Sequence, residues 1–319
     1  MNPTSAVAIV TYNSAACIGG CLESALARCR QVVVVDNASE DQTRQQVARY
    51  RGVRLIANHT NRGFAGAVNQ AMAALQADCV LLLNPDAELL TEIEPLTEAC
   101  AEPDVAAAAG KLVDGQGRVQ LGFNVRSFPG PTALAFEALG VNRLFPFNPV
   151  NRRYRRLDLD PDRPGEVEQP AAAYLMIRRE VWKRLGGFDE RFHPLFFEEV
   201  DFLARAARLG YRIRYVPSAV ARHQGGHSVR ALPRTKLRQY WYTNLLRYAE
   251  KHFGRGALAV VAAAVLLGAI ARMGTSLLAG ERGAELAGHS KVIPLAAKFL
   301  VSAPSRAEAA RSAAGGSVG

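Results

Sequence analysis

The sequence predicts an α/β fold, a largely parallel sheet built from βαβ units, followed by a helical C-terminal region of different composition. Three observations carry this. Short apolar, β-branched runs alternate with helix-length segments through the first hundred residues, the pattern of parallel strands joined by crossover helices. Each run ends in polar, turn-prone residues. From Arg230 onward, basic and aromatic residues give way to a nearly uncharged stretch. At 319 residues, 49% hydrophobic and 21% charged, the chain can bury a large core, which excludes disordered and collagenous classes.

The first four strands are read at Val7 to Thr11, Val32 to Val35, Val53 to Ile56 and Val80 to Leu83. Their ends carry Thr11-Tyr12-Asn13, Asp36-Asn37-Ala38-Ser39, Asn58 to Gly63, and Asn84-Pro85-Asp86. In open α/β sheets the carboxyl ends of strands line the ligand crevice, so these clusters are expected to converge. Gly63 to Gln76 reads as a helix whose small residues allow close approach to the sheet or a ligand. Phe145 to Pro170, rich in Pro, Asn and Arg, reads as a long surface loop. Regular structure resumes at Ala171 to Ile177. Val200, Leu203, Ala204 and Ala207 recur at helical spacing, and Gly210 offers a stop, so a helix is expected over Glu198 to Leu209. Arg212 to Val216 and Ala219 to Arg222 read as two short strands separated by Pro217.

A formal net charge of +10 points to anionic partners: nucleic acid, an acidic membrane surface or a phosphorylated substrate. None of the usual nucleic-acid motifs is present, so nucleic acid is not expected. The five cysteines include no CxxC pair, and the spacing of Cys17, Cys21 and Cys29 suits a helix face better than a zinc site. Reduced thiols in a cytosolic compartment follow. The N-terminus lacks the secretory pattern, so the body is expected in the cytoplasm. No strand is followed by GxGxxG, which argues against a nicotinamide-dependent oxidoreductase.

Three places can carry chemistry. Asn84-Pro85-Asp86 could be a simple turn, since all three are turn residues. Its position at a strand end instead puts Asp86 where a hard divalent ion, bridging protein and diphosphate, needs an oxygen ligand. Glu198, Glu199 and Asp201 could merely complement a helix dipole. Phe196 and Phe197 just ahead would desolvate one carboxylate and raise its pKa, as a general base requires. His223, at the end of a strand, could be an ordinary surface or core histidine unless Asp86 is a metal ligand.

Together these residues resemble the family 2 glycosyltransferases of GT-A fold, most closely their rhamnosyltransferase-like branch. The resemblance rests on Val10-Thr11-Tyr12-Asn13-Ser14, Val34-Val35-Asp36-Asn37-Ala38-Ser39, Asn61-Arg62-Gly63-Phe64-Ala65 with Asn69, Leu83-Asn84-Pro85-Asp86, Gly186-Gly187-Phe188-Asp189-Glu190, Phe197-Glu198-Glu199-Val200-Asp201, and His223. It covers nearly all of Val7 to His227. The resemblance implies a Rossmann-like mixed sheet with helices on both faces. It implies that Thr11, Tyr12 and Asp36 hold the nucleoside, that Arg62, Asn69 and Asn84 lie on the donor side, and that Asp86 and His223 bind a divalent metal, Mg²⁺ or Mn²⁺. Glu199 matches the catalytic base, supported by Glu198, and Asp189 and His193 are expected on the acceptor side.

The implied reaction is inverting transfer of a sugar, rhamnose by branch expectation, from a dTDP- or UDP-linked donor to a lipid-linked or glycan acceptor in cell-envelope polysaccharide synthesis. Residues 1–229 form the catalytic domain, with a nucleotide half to about 110 and an acceptor half beyond. Residues 230–301 form a basic and apolar helical region that associates with the anionic inner face of the membrane. Gly256 to Ala271 alone is short of the about 20 apolar residues a spanning helix needs. Residues 302–319 are expected to be a disordered tail, and irregular loops such as Val141 to Pro170 to set specificity. The competing reading is a nucleotide-binding scaffold that keeps the fold without the chemistry.

Overall fold

A computed structural model describes residues 3–225, 232–278 and 288–301. The expected tail 302–319, and Arg230 at the expected boundary, lie outside the described residues. The chain divides into two compact units, Met1–Pro129 with Phe147–Pro233, and Gly130–Pro146 with Arg234–Gly319.

The first unit is built on a mixed sheet. Its strands are β1 (Ser5–Thr11), β2 (Val32–Asp36), β3 (Val53–Ala57), β4 (Cys79–Leu83), β5 (Ala87–Leu89), β6 (Val105–Val113), β8 (Gly165–Glu166), β10 (Tyr174–Arg178) and β11 (Arg212–His223), while β7 (Val125–Arg126) and β9 (Gln169–Pro170) pair separately. The order is β3-β2-β1-β4-β10-β6-β11-β5, with β8 beside β11. The first four strands are parallel, β10 runs antiparallel to both neighbours, and β11 is parallel to β6. Sequence explains the placement: Val-Val-Val-Val-Asp and Cys-Val-Leu-Leu-Leu are buried throughout, as central strands covered on both faces must be. The two faces separate by the period of two. Ala6, Ala8, Val33 and Val35 face one core with Val68, Phe188 and Phe202, while Val7, Ile9, Val32 and Val34 face another with Leu22 and Leu96.

Two expectations are corrected. Arg212 to Arg222 is one strand carrying a bulge between Val216 and Val220, because Pro217 interrupts pairing without ending the strand. The segment read as a loop contains helix Pro149–Tyr154, capped by Asn148, whose side chain accepts from the Asn151 N–H at 2.9 Å, and with Pro149 at its first turn. That Asn-Pro start signal was present in the sequence.

The second unit is helical: Pro131–Leu139, Val141–Leu144, Arg234–His252, Arg255–Leu278 and Val292–Val301. It therefore takes up a segment that sequence reasoning grouped with the acceptor half. Helix Pro131–Leu139 ends at Gly140, whose φ of 81° favours glycine, and lies against Arg255–Leu278. The approach is close at Gly268, where a Cβ would come 2.1 Å from the Ala138 carbonyl oxygen. Arg272 donates to that same oxygen at 2.7 Å, placing a cation at the negative end of the shorter helix. Helix Arg255–Leu278 runs 24 residues and is long and apolar enough to cross a membrane by length and composition, longer than the uncharged stretch alone suggests. Val260, Leu267, Ile270, Leu277 and Leu278 on it are exposed.

Candidate active site

The β1–β2 register pairs Thr11 with Asp36. Thr11 Oγ1 donates to Asp36 Oδ1 at 3.1 Å, the Ser39 N–H donates to Oδ2 at 3.1 Å, and Arg44 Nε stands 3.7 Å from it. Both side chains are buried and tie together the loops after β1 and β2, the loops expected to hold the nucleoside. Tyr12, next in the chain, is half-buried. Asn37 links these loops to the next by donating to Asn61 Oδ1 and the Gly63 carbonyl and accepting from the Arg62 N–H. The Arg62 guanidinium is about half exposed, 4.0 Å from Glu190.

Three further expected site residues lie against protein partners. Asn69 is fully engaged: it donates to the Phe188 carbonyl and Glu190 and accepts from the Phe188 N–H and Trp182 Nε1, bracing helix Gly63–Ala74 against the Gly186–Glu190 loop. His193, expected on the acceptor side, sits against the start of that helix, where a Cβ on Gly63 would lie 2.7 Å from its Nδ1. Gly63 also has φ 75°, so only glycine suits the position. Asp189 takes Arg191 in a two-pronged pair at 3.0 and 2.6 Å, which holds its loop.

Asp86 and His223, 137 positions apart in the chain, are brought together by strand register. Antiparallel pairing sets Ala87 opposite His223, and the Gln224 N–H donates to the Asp86 carbonyl at 3.1 Å. His223 Nε2 lies 3.4 Å from Asp86 Oδ1 and 3.4 Å from Asn84 Nδ2. Both Asp86 and His223 are largely buried. Among the described residues no cluster of three or more His, Cys, Asp or Glu forms a metal cage. One carboxylate and one imidazole nevertheless fit a cation whose remaining ligands are phosphates and waters.

Glu198 and Glu199 open helix Glu198–Arg208 behind Phe196 and Phe197, both in the left-handed region at φ 82° and 72°. Two such residues in succession are costly and are held by their surroundings, as strain at working sites commonly is. Glu198 is buried with Oε2 lacking a partner, and burial, then the neighbouring charge of Glu199, pushes its pKa well above the ordinary value. Glu199 is half-buried; burial raises its pKa, and the Arg126 charge opposes the rise. Asp201 is drawn away to Arg205 at 2.8 Å, which also binds the Leu185 and Gly187 carbonyls.

Sequence reasoning missed Gln120, Phe123 and Arg126. Phe123 stacks on His223 with centroids 5.3 Å apart, and the Arg126 guanidinium lies 5.9 Å from the Phe123 ring. Gln120 and Phe123 contact His223, and the charge of Arg126 acts on Glu199. No motif marks them.

The glycosyl transferase family 2 model matches residues 6–185. The chain belongs to glycosyltransferase family 2. Over 248 residues it is 32% identical to the N-acetylglucosaminyl-diphospho-decaprenol L-rhamnosyltransferase of Mycobacterium tuberculosis, covering 73% of this chain and 79% of the relative. Among solved structures it resembles GalNAc-T7 with UDP, GalNAc and Mn²⁺, at TM-score 0.55 and 15% identity over 78% of this chain, but spans only 48% of that one. It also resembles the mannosyltransferase PcManGT from Pyrobaculum calidifontis in complex with GDP-Man and Mn²⁺, at TM-score 0.51 and 20% identity, over 94% and 88% of the two chains. These likenesses show that this family 2 glycosyltransferase has the GT-A fold.

Proposed function

We propose that this family 2 glycosyltransferase is an inverting, metal-dependent rhamnosyltransferase that acts on a lipid-linked sugar diphosphate in cell-envelope synthesis. The observation that carries the reading is the adjacency of Asp86 to His223, with Phe123 stacked on His223 and the charge of Arg126, beside Phe123, acting on Glu199. The sugar and the acceptor follow the printed activity of the M. tuberculosis relative. Asp86 and His223 would hold Mg²⁺ or Mn²⁺, which when bound supplies charge neutralisation to the departing nucleoside diphosphate. Arg62 adds positive charge on the donor side. Glu199 accepts the proton of an acceptor hydroxyl while the hydroxyl oxygen bonds to the anomeric carbon and the bond from that carbon to phosphate oxygen breaks. One displacement inverts configuration. Glu198, buried and with its pKa pushed up by burial and by the neighbouring Glu199, is the less suited of the two to take that proton.

The test is transfer by the purified protein to a GlcNAc-diphosphate lipid from a panel of dTDP- and UDP-sugars, with product configuration read by NMR. The expected result is divalent-dependent rhamnosylation with inversion. Retention, or no turnover with any donor, overturns the reading.

Peripheral attachment to an anionic membrane face belongs to the same proposal. The described part of the second unit holds ten lysines and arginines against two glutamates, Glu137 and Glu250, and so most of the chain's +10. Each cation near an anionic leaflet contributes about 1 kcal/mol of attraction, and the exposed Leu267 and Ile270 give an apolar surface to bury. Removing everything after Arg230 would strip helix Pro131–Leu139 of its cover, so surface substitutions test the idea more cleanly. Leu267→Asp with Ile270→Asp is expected to abolish flotation with phosphatidylserine vesicles at physiological salt while leaving thermal stability unchanged. Equal flotation of the variant and the parent removes this helix as the anchor.

A further inference from the structure

We propose that Gln120 is a positioning residue that fixes the tautomer of His223 and so makes Nε2 a metal ligand. This rests on the metal reading above. The end of β6 turns back through Asp114 to Arg118, and the Gln120 N–H donates to the Leu112 carbonyl at 3.0 Å, which sets the residue beside the last residue of β11. Its amide then meets His223 twice. Nε2 of Gln120 lies 2.8 Å from the His223 backbone carbonyl, and Oε1 lies 3.1 Å from the imidazole Nδ1.

For a neutral imidazole the chemistry leaves one arrangement. A backbone carbonyl can only accept, so the atom facing it is the amide NH₂, and the orientation of the Gln120 side chain is settled by that contact. Oε1 in turn can only accept, so the proton of a neutral imidazole resides on Nδ1. The lone pair is thereby assigned to Nε2. That lone pair faces Asp86 Oδ1 at 3.4 Å, a meeting of two electron-rich atoms that either a proton on Nε2 or a metal cation would relieve. Asn84 Nδ2, at 3.4 Å, also presents donor character to the same nitrogen. Phe123, stacked on the ring with an interplanar angle of 13°, restrains its plane. Gln120 thus does for His223 what an outer-shell partner does for a metal-binding histidine, selecting the tautomer and holding the ring.

The test uses full-length protein with Gln120→Met, which removes both contacts at similar size, and Gln120→Glu, which keeps an acceptor opposite Nδ1 but loses the donor to the carbonyl. Long-range ¹H–¹⁵N NMR of the metal-free protein at alkaline pH, with His223 identified by difference against His223→Gln, reads the tautomer. The expected spectrum shows the Nδ1-protonated form in the parent and in Gln120→Glu, and the Nε2-protonated form in Gln120→Met. Titration with Mn²⁺ in the presence of nucleoside diphosphate is expected to show affinity about 10–100-fold weaker in Gln120→Met, with most of it retained in Gln120→Glu. Nucleotide binding without metal controls for folding.

An Nε2-protonated parent, or parent-like Mn²⁺ affinity in Gln120→Met, overturns the proposal. Equal losses in both variants reduce Gln120 to a purely structural tie and overturn it as well. If the parent itself binds no Mn²⁺, the metal reading fails, and the NMR result still decides the tautomer.

Discussion

Replacing Glu199 by glutamine is expected to lower kcat by about 10²–10⁴-fold, the contribution of a positioned general base, while donor binding survives. The substitution keeps the size of the side chain and removes only its capacity to take a proton. The pH profile gives a second view. The base works ionised, so kcat/KM falls as pH drops through its pKa, and because burial raises that pKa the acid limb lies above the ordinary glutamate range. Arg126 lowers it, so Arg126→Gln is expected to move the acid limb further upward. Glu198→Gln serves as the comparison, because a carboxyl already driven toward the protonated form loses little by becoming an amide. A Glu199→Gln variant that keeps more than about a tenth of parental turnover would return the role to Glu198 or remove it from both.

Asp86→Ala is expected to abolish the metal dependence of nucleoside diphosphate binding and to reduce turnover by more than the about 10–100-fold typical of losing an outer-shell partner. Asp86 is the one carboxylate beside His223 in the pair described here, so its loss leaves a neutral imidazole and an amide, a poor set for a hard cation. Calorimetry with and without Mn²⁺ measures the effect. A variant whose binding still responds to Mn²⁺ as the parent does would separate Asp86 from the metal.

The parallel half of the fold was legible because its strands are buried on both faces, and runs such as Val32 to Val35 have few other uses. The pairing of Asp86 with His223 was legible only through family resemblance, since nothing in composition or spacing reports the Ala87–His223 register. Thr11, Asp36 and Asn69 mark a second limit of the sequence. Hydroxyl, carboxylate and amide groups that could hold a ligand are chemically the same as those that hold a loop, and only the geometry shows them engaged with protein partners. Gln120, Phe123 and Arg126 were invisible because they follow the irregular turn after β6, where no periodicity constrains them. The burial of Glu198 against the half-burial of Glu199 was likewise hidden in a pair of identical letters. Consecutive helical positions point about 100° apart, which sends the two side chains into different surroundings.

The second unit is assembled from stretches of chain far apart, and this has a consequence for synthesis. Helix Pro131–Leu139 leaves the ribosome more than a hundred residues ahead of Arg255–Leu278, the helix that packs against it. At roughly 5–20 residues per second, that is a delay of roughly 6–23 seconds in which its apolar face has no native cover. The unit cannot close until Arg255–Leu278 has been made, long after helix Pro131–Leu139 has emerged. A nascent chain arrested between Gly140 and Arg255 therefore presents a sticky helix to chaperones or lipid, a vulnerability that a purely C-terminal appendage would not create.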